Sequence, residues 1–237
     1  MLYEILIVFL LAIVMIGIFY MKFKDLRTEK YKKLIGFASG LAMCMIFVYF
    51  VNLLIMNYSY ISHFNLTLLM WGFVLIFILK QYIMTESGKF WEVDFKMNKV
   101  KFIEYSLSAI FLVFLIFIVK SFALSEGFEL FIPFSFFLIF YSLLIKVKSS
   151  EILDKAYFKE HYIHVIPISI LVSVISCFIL QAFYPGFFYF MLPFIIGFLL
   201  NSMFDVIIDK NRSYDMISFI LGILCANFVL LVSFILF

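Results

Sequence analysis

Polar side chains recur at a spacing of four around residue 205. Asn201, Asp205 and Asp209 are followed at once by Lys210 and Arg212. On an α-helix this spacing keeps side chains on one face. Carboxylates one turn apart can share a Mg²⁺ ion, which usually takes one or two carboxylates together with phosphate oxygens. The pattern predicts Mg²⁺ ligands at Asp205 and Asp209 and phosphate-binding cations at Lys210 and Arg212.

The helix that must position these groups begins with small, apolar residues. The spacing of four extends backwards through Gly197 to Pro193, inside an apolar segment at 186–207. One helix face is therefore expected to be small and apolar at its start and polar at its end. No other hydrophobic segment gathers as many polar groups at one end.

The composition requires a membrane around this helix. The chain has 237 residues, of which 66% are hydrophobic and 14% are charged, and its mean hydropathy is +1.16. Soluble domains are nearer to half apolar and a quarter charged. Backbone polar groups in lipid must be satisfied within the segment, so helices are the expected spanning element. We therefore predict an all-α polytopic membrane protein, a single transmembrane domain over 1–237 with no soluble domain.

Eight apolar segments are each about long enough to cross a hydrocarbon core of ~30 Å. The first lacks the basic start and the cleavage pattern of a signal peptide, so we count it as a helix. Cys44, Cys177 and Cys225 all lie inside apolar runs, which argues against a disulfide or metal framework. The predicted helices are 2–21, 34–56, 65–83, 102–124, 128–146, 163–183, 186–207 and 214–236.

Charge in the connections predicts the orientation of the chain. All Lys and Arg residues except Lys120 lie in or beside four charged loops. The positive-inside rule puts these loops in the cytoplasm and both termini outside. The carboxylates at 205 and 209 then emerge at the cytoplasmic end of the seventh helix. The loops are too short for nucleic-acid binding.

The string N-S-M-F-D-V-I-I-D-K-N-R at 201–212 resembles the first aspartate-rich motif of UbiA-type intramembrane prenyltransferases. That motif is close to N-D-x-x-D-x-x-x-D; here its second position is Ser202. The resemblance implies that Asp205 and Asp209 hold Mg²⁺, which binds the diphosphate of a prenyl donor. It also implies a UbiA-like prenyltransferase activity, for which the catalytic candidates are Asn201, Asp205 and Asp209, and the case for Asn201 depends on this resemblance. The family carries a second aspartate motif, and no equivalent occurs at another helix end of this chain.

Other interpretations of the same chain remain open. In one of them, the carboxylates at 205 and 209 form only a polar helix end that pairs with the basic loops. Another interpretation is a permease-like transport or export subunit for a hydrophobic or lipid-like cargo, which would work with an ATPase or other subunits. It is supported by the number of helices and by a serine stripe at Ser169, Ser173 and Ser176. Small-residue rows on the second and eighth helices suit close helix packing, and so a non-catalytic immunity, assembly or scaffold protein. These rows are Gly36, Gly40 and Cys44, and Gly222 and Ala226.

Two further groups have a structural and a functional interpretation. Lys120 is expected near the outer interface, as an anchor or as part of an ion-pair gate with Glu126 and Glu129. His161 and His164 have the spacing of two metal ligands on one helix face, although interfacial histidines give the same pattern.

Overall fold

The computed structural model of the chain describes residues 2–21, 29–56, 64–86, 90–126, 130–153, 164–184, 186–208 and 215–235. The secondary structure of these residues is entirely helical. A π-helical segment, Ile46–Phe50, joins α2 to α3 without a break in the helix. The helices are α1 (Leu2–Tyr20), α2 (Glu29–Met45), α3 (Val51–Met56), α4 (Phe64–Glu86), α5 (Phe90–Glu126), α6 (Phe131–Leu153), α7 (Val165–Phe183), α8 (Gly186–Ile208) and α9 (Met216–Ile235).

Six helical stretches are long and apolar enough to cross a membrane. The chain is therefore a helical, multi-pass membrane protein. Two shorter apolar stretches, Ile5–Tyr20 in α1 and Leu66–Leu75 in α4, fall at two more of the predicted segments, so the number eight stays a prediction. The six are Lys32–Leu53, Val100–Ala123, Phe131–Ser150, Val165–Phe183, Gly186–Phe204 and Met216–Ser233.

The helix ends differ most from prediction around the second charged loop. The predicted segments leave a connection over residues 84–101, but α4 continues to Glu86 and α5 already begins at Phe90. Hydropathy marks the part of a helix that matches the hydrocarbon core, whereas a helix can continue into water on its own backbone hydrogen bonds. The predicted segment 102–124 agrees to within two residues with the apolar stretch Val100–Ala123 of this longer helix.

The helices differ in how deeply they lie in the bundle. The membrane-crossing parts of α2, α5, α6 and α8 are mostly buried within the protein, whereas those of α7 and α9 are mostly exposed. Phenylalanine rings fill the space between α5 and α8: Phe111 packs edge-on against Phe198, with centroids 4.8 Å apart, and Phe117 stacks on Phe188 at 5.7 Å. Such pairs add to the burial of their apolar area and fix α8 against the centre of the bundle.

Helices α2 and α9 approach each other through their small-residue rows. A side chain at Gly36 would meet the backbone of Asp215, and one at Gly40 would meet that of Phe219. The two contacts advance together along both helices, so the helices run parallel. Gly222 packs in return against the backbone of α2. The rows expected to mark close packing therefore pack on each other, inside the protein.

The same packing recurs between α4 and α8. A Cβ atom added at Gly72 would overlap the carbonyl of Phe194, three residues before Gly197. One added at Gly197 would overlap the carbonyl of Leu69, three residues before Gly72. Gly40 of α2 and Gly222 of α9 pack in the same reciprocal way, each against the carbonyl three residues before the other glycine. This arrangement brings the glycine Cα hydrogens close to carbonyl oxygens of the facing helix. The small start of the α8 face is therefore held against the backbone of α4.

The N-terminus of α9 is capped by Asp215. Its Oδ2 accepts hydrogen bonds from the Ser218 hydroxyl at 2.7 Å and from the Ser218 backbone N–H at 2.9 Å, which satisfies a helix-end donor. These hydrogen bonds hold the pKa of the Asp215 carboxyl below its ordinary value. The Asp215 N–H donates to the Lys32 carbonyl, 3.2 Å away, and so joins this end of α9 to α2.

Candidate functional site

At the polar end of α8, the side chain of Asn201 points into the protein. Its side chain is 6% exposed, and its amide nitrogen meets no acceptor among the described residues. Ser202 beside it is also buried. The backbone of Asp205 belongs to α8, one turn further on, but its side chain lies outside the description. The proposed positions Asp209, Lys210 and Arg212 also lie outside the described residues.

The burial of Asn201 follows from the helix face that carries it. Gly197, four residues earlier, is pressed against α4, and a spacing of four keeps Asn201 near that face. Apolar neighbours on α8, including Leu199 and Met203, are buried as well. An amide without an acceptor in such surroundings costs about 1–3 kcal/mol, so it is an unusual residue for a packing position.

A second helix brings a carboxylate close to this end of α8. Glu104 of α5 is 1% exposed, and the hydroxyl of Ser108 one turn later donates to the Glu104 carbonyl at 2.9 Å. Tyr141 of α6 is fully enclosed, and its phenol interacts with Ser108, Ser202 and Glu104. We call Glu104, Ser108, Tyr141 and Ser202 the polar cluster. It joins α5, α6 and α8 at the end of the bundle where α8 finishes.

The hydrogen bonds of the polar cluster are incomplete. The Tyr141 hydroxyl is within interaction range of Ser108 and Ser202, yet it forms no hydrogen bond of good geometry in the described part of the chain. The hydroxyl of Ser142, the next residue, also has no partner there. Together with the Asn201 amide, these hydroxyls make three buried donor groups on α6 and α8 that form no hydrogen bond of good geometry with the described residues.

Sequence reasoning missed Glu104 and Tyr141. Glu104 lies about 6 Å inside the span Val100–Ala123 at 1.5 Å per residue. An ionisable residue there is costly and points to function. Its position inside an apolar segment, four residues before Ser108, was the available signal. Tyr141 has no such signal, because tyrosines occur in most segments of this chain.

The side chains suit Mg²⁺ only in combination with a ligand. Among the described side chains, no three His, Cys, Asp or Glu groups come together as a metal-binding set. Mg²⁺ usually takes one or two carboxylates and completes its octahedron with water and phosphate oxygens. The oxygen of Asn201 and the carboxylate of Asp205, one turn apart on α8, match that donor type. The orphaned Asn201 N–H and the Tyr141 hydroxyl match the acceptor oxygens of a phosphate.

The serine hydroxyls of α7 form hydrogen bonds to their own helix. Ser169 donates to the Ile166 carbonyl, Ser173 to the Ser169 carbonyl and Ser176 to the Val172 carbonyl, all at 2.7–2.9 Å. Each hydroxyl proton is therefore satisfied within the helix. The stripe is thus explained without a polar passage, and transport stays a prediction.

Lys120 is buried in the protein. It is 7% exposed, its Nζ donates to Gln181 Oε1 at 3.1 Å, and it lies 5.9 Å from the ring centre of Phe117. The amine ties α5 to α7, and its place three residues before the end of the stretch Val100–Ala123 agrees with the expected position near a membrane interface. The gate partners lie outside the description: Glu129 entirely, Glu126 by its side chain.

Only one member of the histidine pair is described. His164 is exposed, and its Nδ1 lies 3.5 Å from the Tyr20 hydroxyl. His161 is outside the described residues. The described contact of His164 is a link between the ends of α1 and α7, which agrees with the interfacial interpretation.

Comparisons with protein-family models, with curated proteins and with solved structures find nothing that matches this chain.

Proposed function

We propose that this membrane protein binds the diphosphate head group of a prenyl-type lipid with Mg²⁺ at the end of α8. Asp205 and Asp209 supply carboxylates to the metal, and Lys210 and Arg212 balance phosphate charge. Asn201 and Tyr141 donate hydrogen bonds to phosphate oxygens. The apolar surfaces between helices receive the prenyl tail.

The observation that supports the proposal most directly is the Asn201 amide. It is buried, it lacks an acceptor among the described residues, and it lies one helical turn before Asp205. A phosphate oxygen would supply the missing acceptor, because phosphate presents several strong acceptors and no obligatory donor. The motif resemblance at 201–212 predicts the same ligand on separate grounds.

The polar cluster adds a carboxylate from a second helix. A UbiA-type site uses acidic groups from two helices, and Glu104 on α5 is the acidic residue that interacts with Tyr141, close to Ser202. Glu104 thus becomes the proposed counterpart of the second acidic motif. When bound, Mg²⁺ stabilises negative charge on a departing diphosphate. The protein residues orient the head group and exclude water.

The two alternative functions have each lost part of their support. The serine hydroxyls of α7 bond to their own helix, which weakens the case for transport of a lipid-like cargo. The glycines of α2 and α9 pack on each other, which weakens the case for a docking partner at that face. Diphosphate binding is therefore the better-supported proposal.

The test is Mg²⁺-dependent binding of a prenyl diphosphate to the purified protein in lipid nanodiscs. We expect Asp205→Asn to weaken binding by roughly tenfold or more, because a ligand of the metal is lost. Asp215→Asn is the matched control: it neutralises another aspartate near the same loop, and Asn still caps α9. Chelation of Mg²⁺ should weaken binding of the wild type to a similar degree. Equal affinity of the wild type and the Asp205→Asn variant would overturn the proposal.

A further inference from the structure

Helix α9 turns a regular row of side chains away from the protein. Ile217, Ile220, Leu224, Asn227 and Leu231 follow one another at spacings of three, four, three and four. This is the repeat by which two helices pack along a left-handed coiled-coil seam. All five side chains are exposed, the four apolar ones by 48–70%. We call these five residues the α9 seam.

The rest of the bundle holds α9 from its other side. Gly222 packs against the backbone of α2, and Ala226 and Leu230 are buried. The α9 seam lies outside this packed face. In a membrane it therefore faces lipid or another protein chain.

Asn227 is the informative member of the seam. It lies six residues, or about 9 Å, before Ser233, the end of the apolar stretch Met216–Ser233. An amide exposed at that depth is unfavourable in lipid. Its Nδ2 donates to the Ile223 carbonyl at 3.1 Å. An asparagine amide has two N–H donors and an acceptor oxygen, so this single bond does not exhaust it.

A comparison with α7 shows why the asparagine matters. The exposed face of α7 carries Ile168, Val172, Ile175 and Ile179 at the similar spacing of four, three and four. Lipid tails are as apolar as these side chains, so such a row has little reason to leave lipid. Only a polar group that gains hydrogen bonds, or close packing, drives helices together in a membrane. The α9 seam has that group at its centre.

We propose that two copies of this chain associate in parallel through the α9 seam, with Asn227 of one copy hydrogen-bonded to Asn227 of the other. Both copies insert in the same orientation, so their Asn227 side chains lie at the same depth. Asparagine is both donor and acceptor, so it is self-complementary across a two-fold axis along the membrane normal. A single asparagine within an apolar seam also fixes the register of the two helices.

The first test is the monomer–dimer equilibrium in lipid, measured by single-molecule photobleaching over a range of protein-to-lipid ratios. We expect Asn227→Leu to weaken dimerisation by roughly tenfold, while Asn227→Gln retains it because the amide is kept. The thermal stability of each variant reports on folding, and removal of a lipid-exposed amide is not expected to lower it. A wild type that stays monomeric at every ratio, or an Asn227→Leu variant that dimerises as well as the wild type, overturns the proposal.

The second test maps the contact by disulfide formation. In a background with Cys44, Cys177 and Cys225 replaced, Leu224→Cys on the seam should cross-link two copies upon oxidation. Ile175→Cys is the matched control, because it is also exposed but lies on α7 rather than on the seam. Equal cross-linking at both positions, or cross-linking at 175 alone, would contradict a dimer through the α9 seam.

Discussion

Buried hydroxyl groups in this bundle differ in where their hydrogen bonds go. Ser39 donates to the Ile35 carbonyl, and Ser121 donates to the Phe117 carbonyl, each four residues earlier on its own helix. Such bonds satisfy the hydroxyl without specifying a ligand. Tyr141 has no comparable bond, since no carbonyl of its own helix is within reach of a tyrosine hydroxyl. At the scale of single residues, the unsatisfied donors are what separates the polar cluster from ordinary helix packing.

Two buried tyrosines provide a matched pair for this distinction. The Tyr49 hydroxyl donates to the Leu130 carbonyl at 2.7 Å, whereas the Tyr141 hydroxyl forms no bond of good geometry with the described residues. We expect Tyr49→Phe to lower the free energy of unfolding by about 1 kcal/mol, because a buried carbonyl loses its donor. Tyr141→Phe should cause no loss of stability, but should weaken binding of a prenyl diphosphate. Denaturant titration and binding in nanodiscs provide the two measurements.

A different result would reassign Tyr141. If Tyr141→Phe destabilises the protein as much as Tyr49→Phe does, the phenol stabilises the fold through Ser108 or Ser202. Its hydroxyl would then be engaged in the absence of any ligand, and its assignment to phosphate binding would fail.

At the scale of elements, two glycine-mediated crossings position the helices. The contact of α2 with α9 and that of α4 with α8 follow the same reciprocal rule. In the second crossing the glycine belongs to the face of α8 that ends in Asn201. The close approach to α4 thus fixes the rotation of α8, and with it the side of the helix on which the site residues lie.

This dependence can be measured by adding one methyl group. A Cβ atom at Gly40 or at Gly197 would overlap a backbone carbonyl of the facing helix, so the helices must separate. We expect Gly40→Ala and Gly197→Ala each to lower the free energy of unfolding by about 1–3 kcal/mol. Gly17→Ala is the control, because nothing lies within 4 Å of the added atom. That substitution should be neutral or slightly stabilising, since alanine favours helix.

The two crossings should differ in their effect on the site. Gly197→Ala should also weaken prenyl diphosphate binding, because Asn201 lies on the same helix face, whereas Gly40→Ala should change stability alone. Stability comparable to that of Gly17→Ala in both variants would contradict the close approach of the helices.

At the scale of the whole molecule, the sequence predicted the class of fold well and its contacts poorly. Long apolar runs require membrane helices for a simple energetic reason, and the ends of the seventh segment agree with α8 to within one residue. The approach of Glu104 to Tyr141 could not be read from the chain, because it depends on which faces of α5 and α6 meet. The hydrogen bond from Lys120 to Gln181 was not predicted for the same reason: Gln181 is on a helix whose neighbours hydropathy does not reveal.

The number of crossings and their orientation can be measured by cysteine labelling. If α1 and α4 cross the membrane along with the six longer stretches, the connections on either side of α4 lie on opposite faces. We therefore expect a single cysteine at Ser59→Cys to react with a membrane-impermeant maleimide added outside the cell, and one at Ser87→Cys to react only after the membrane is opened. This follows from the positive charge that accompanies the second connection and is missing from the first. Ser125→Cys, at the end of α5 beside another connection without basic residues, should behave as Ser59→Cys does. Labelling of Ser59→Cys and Ser87→Cys from the same side would show that α4 does not cross.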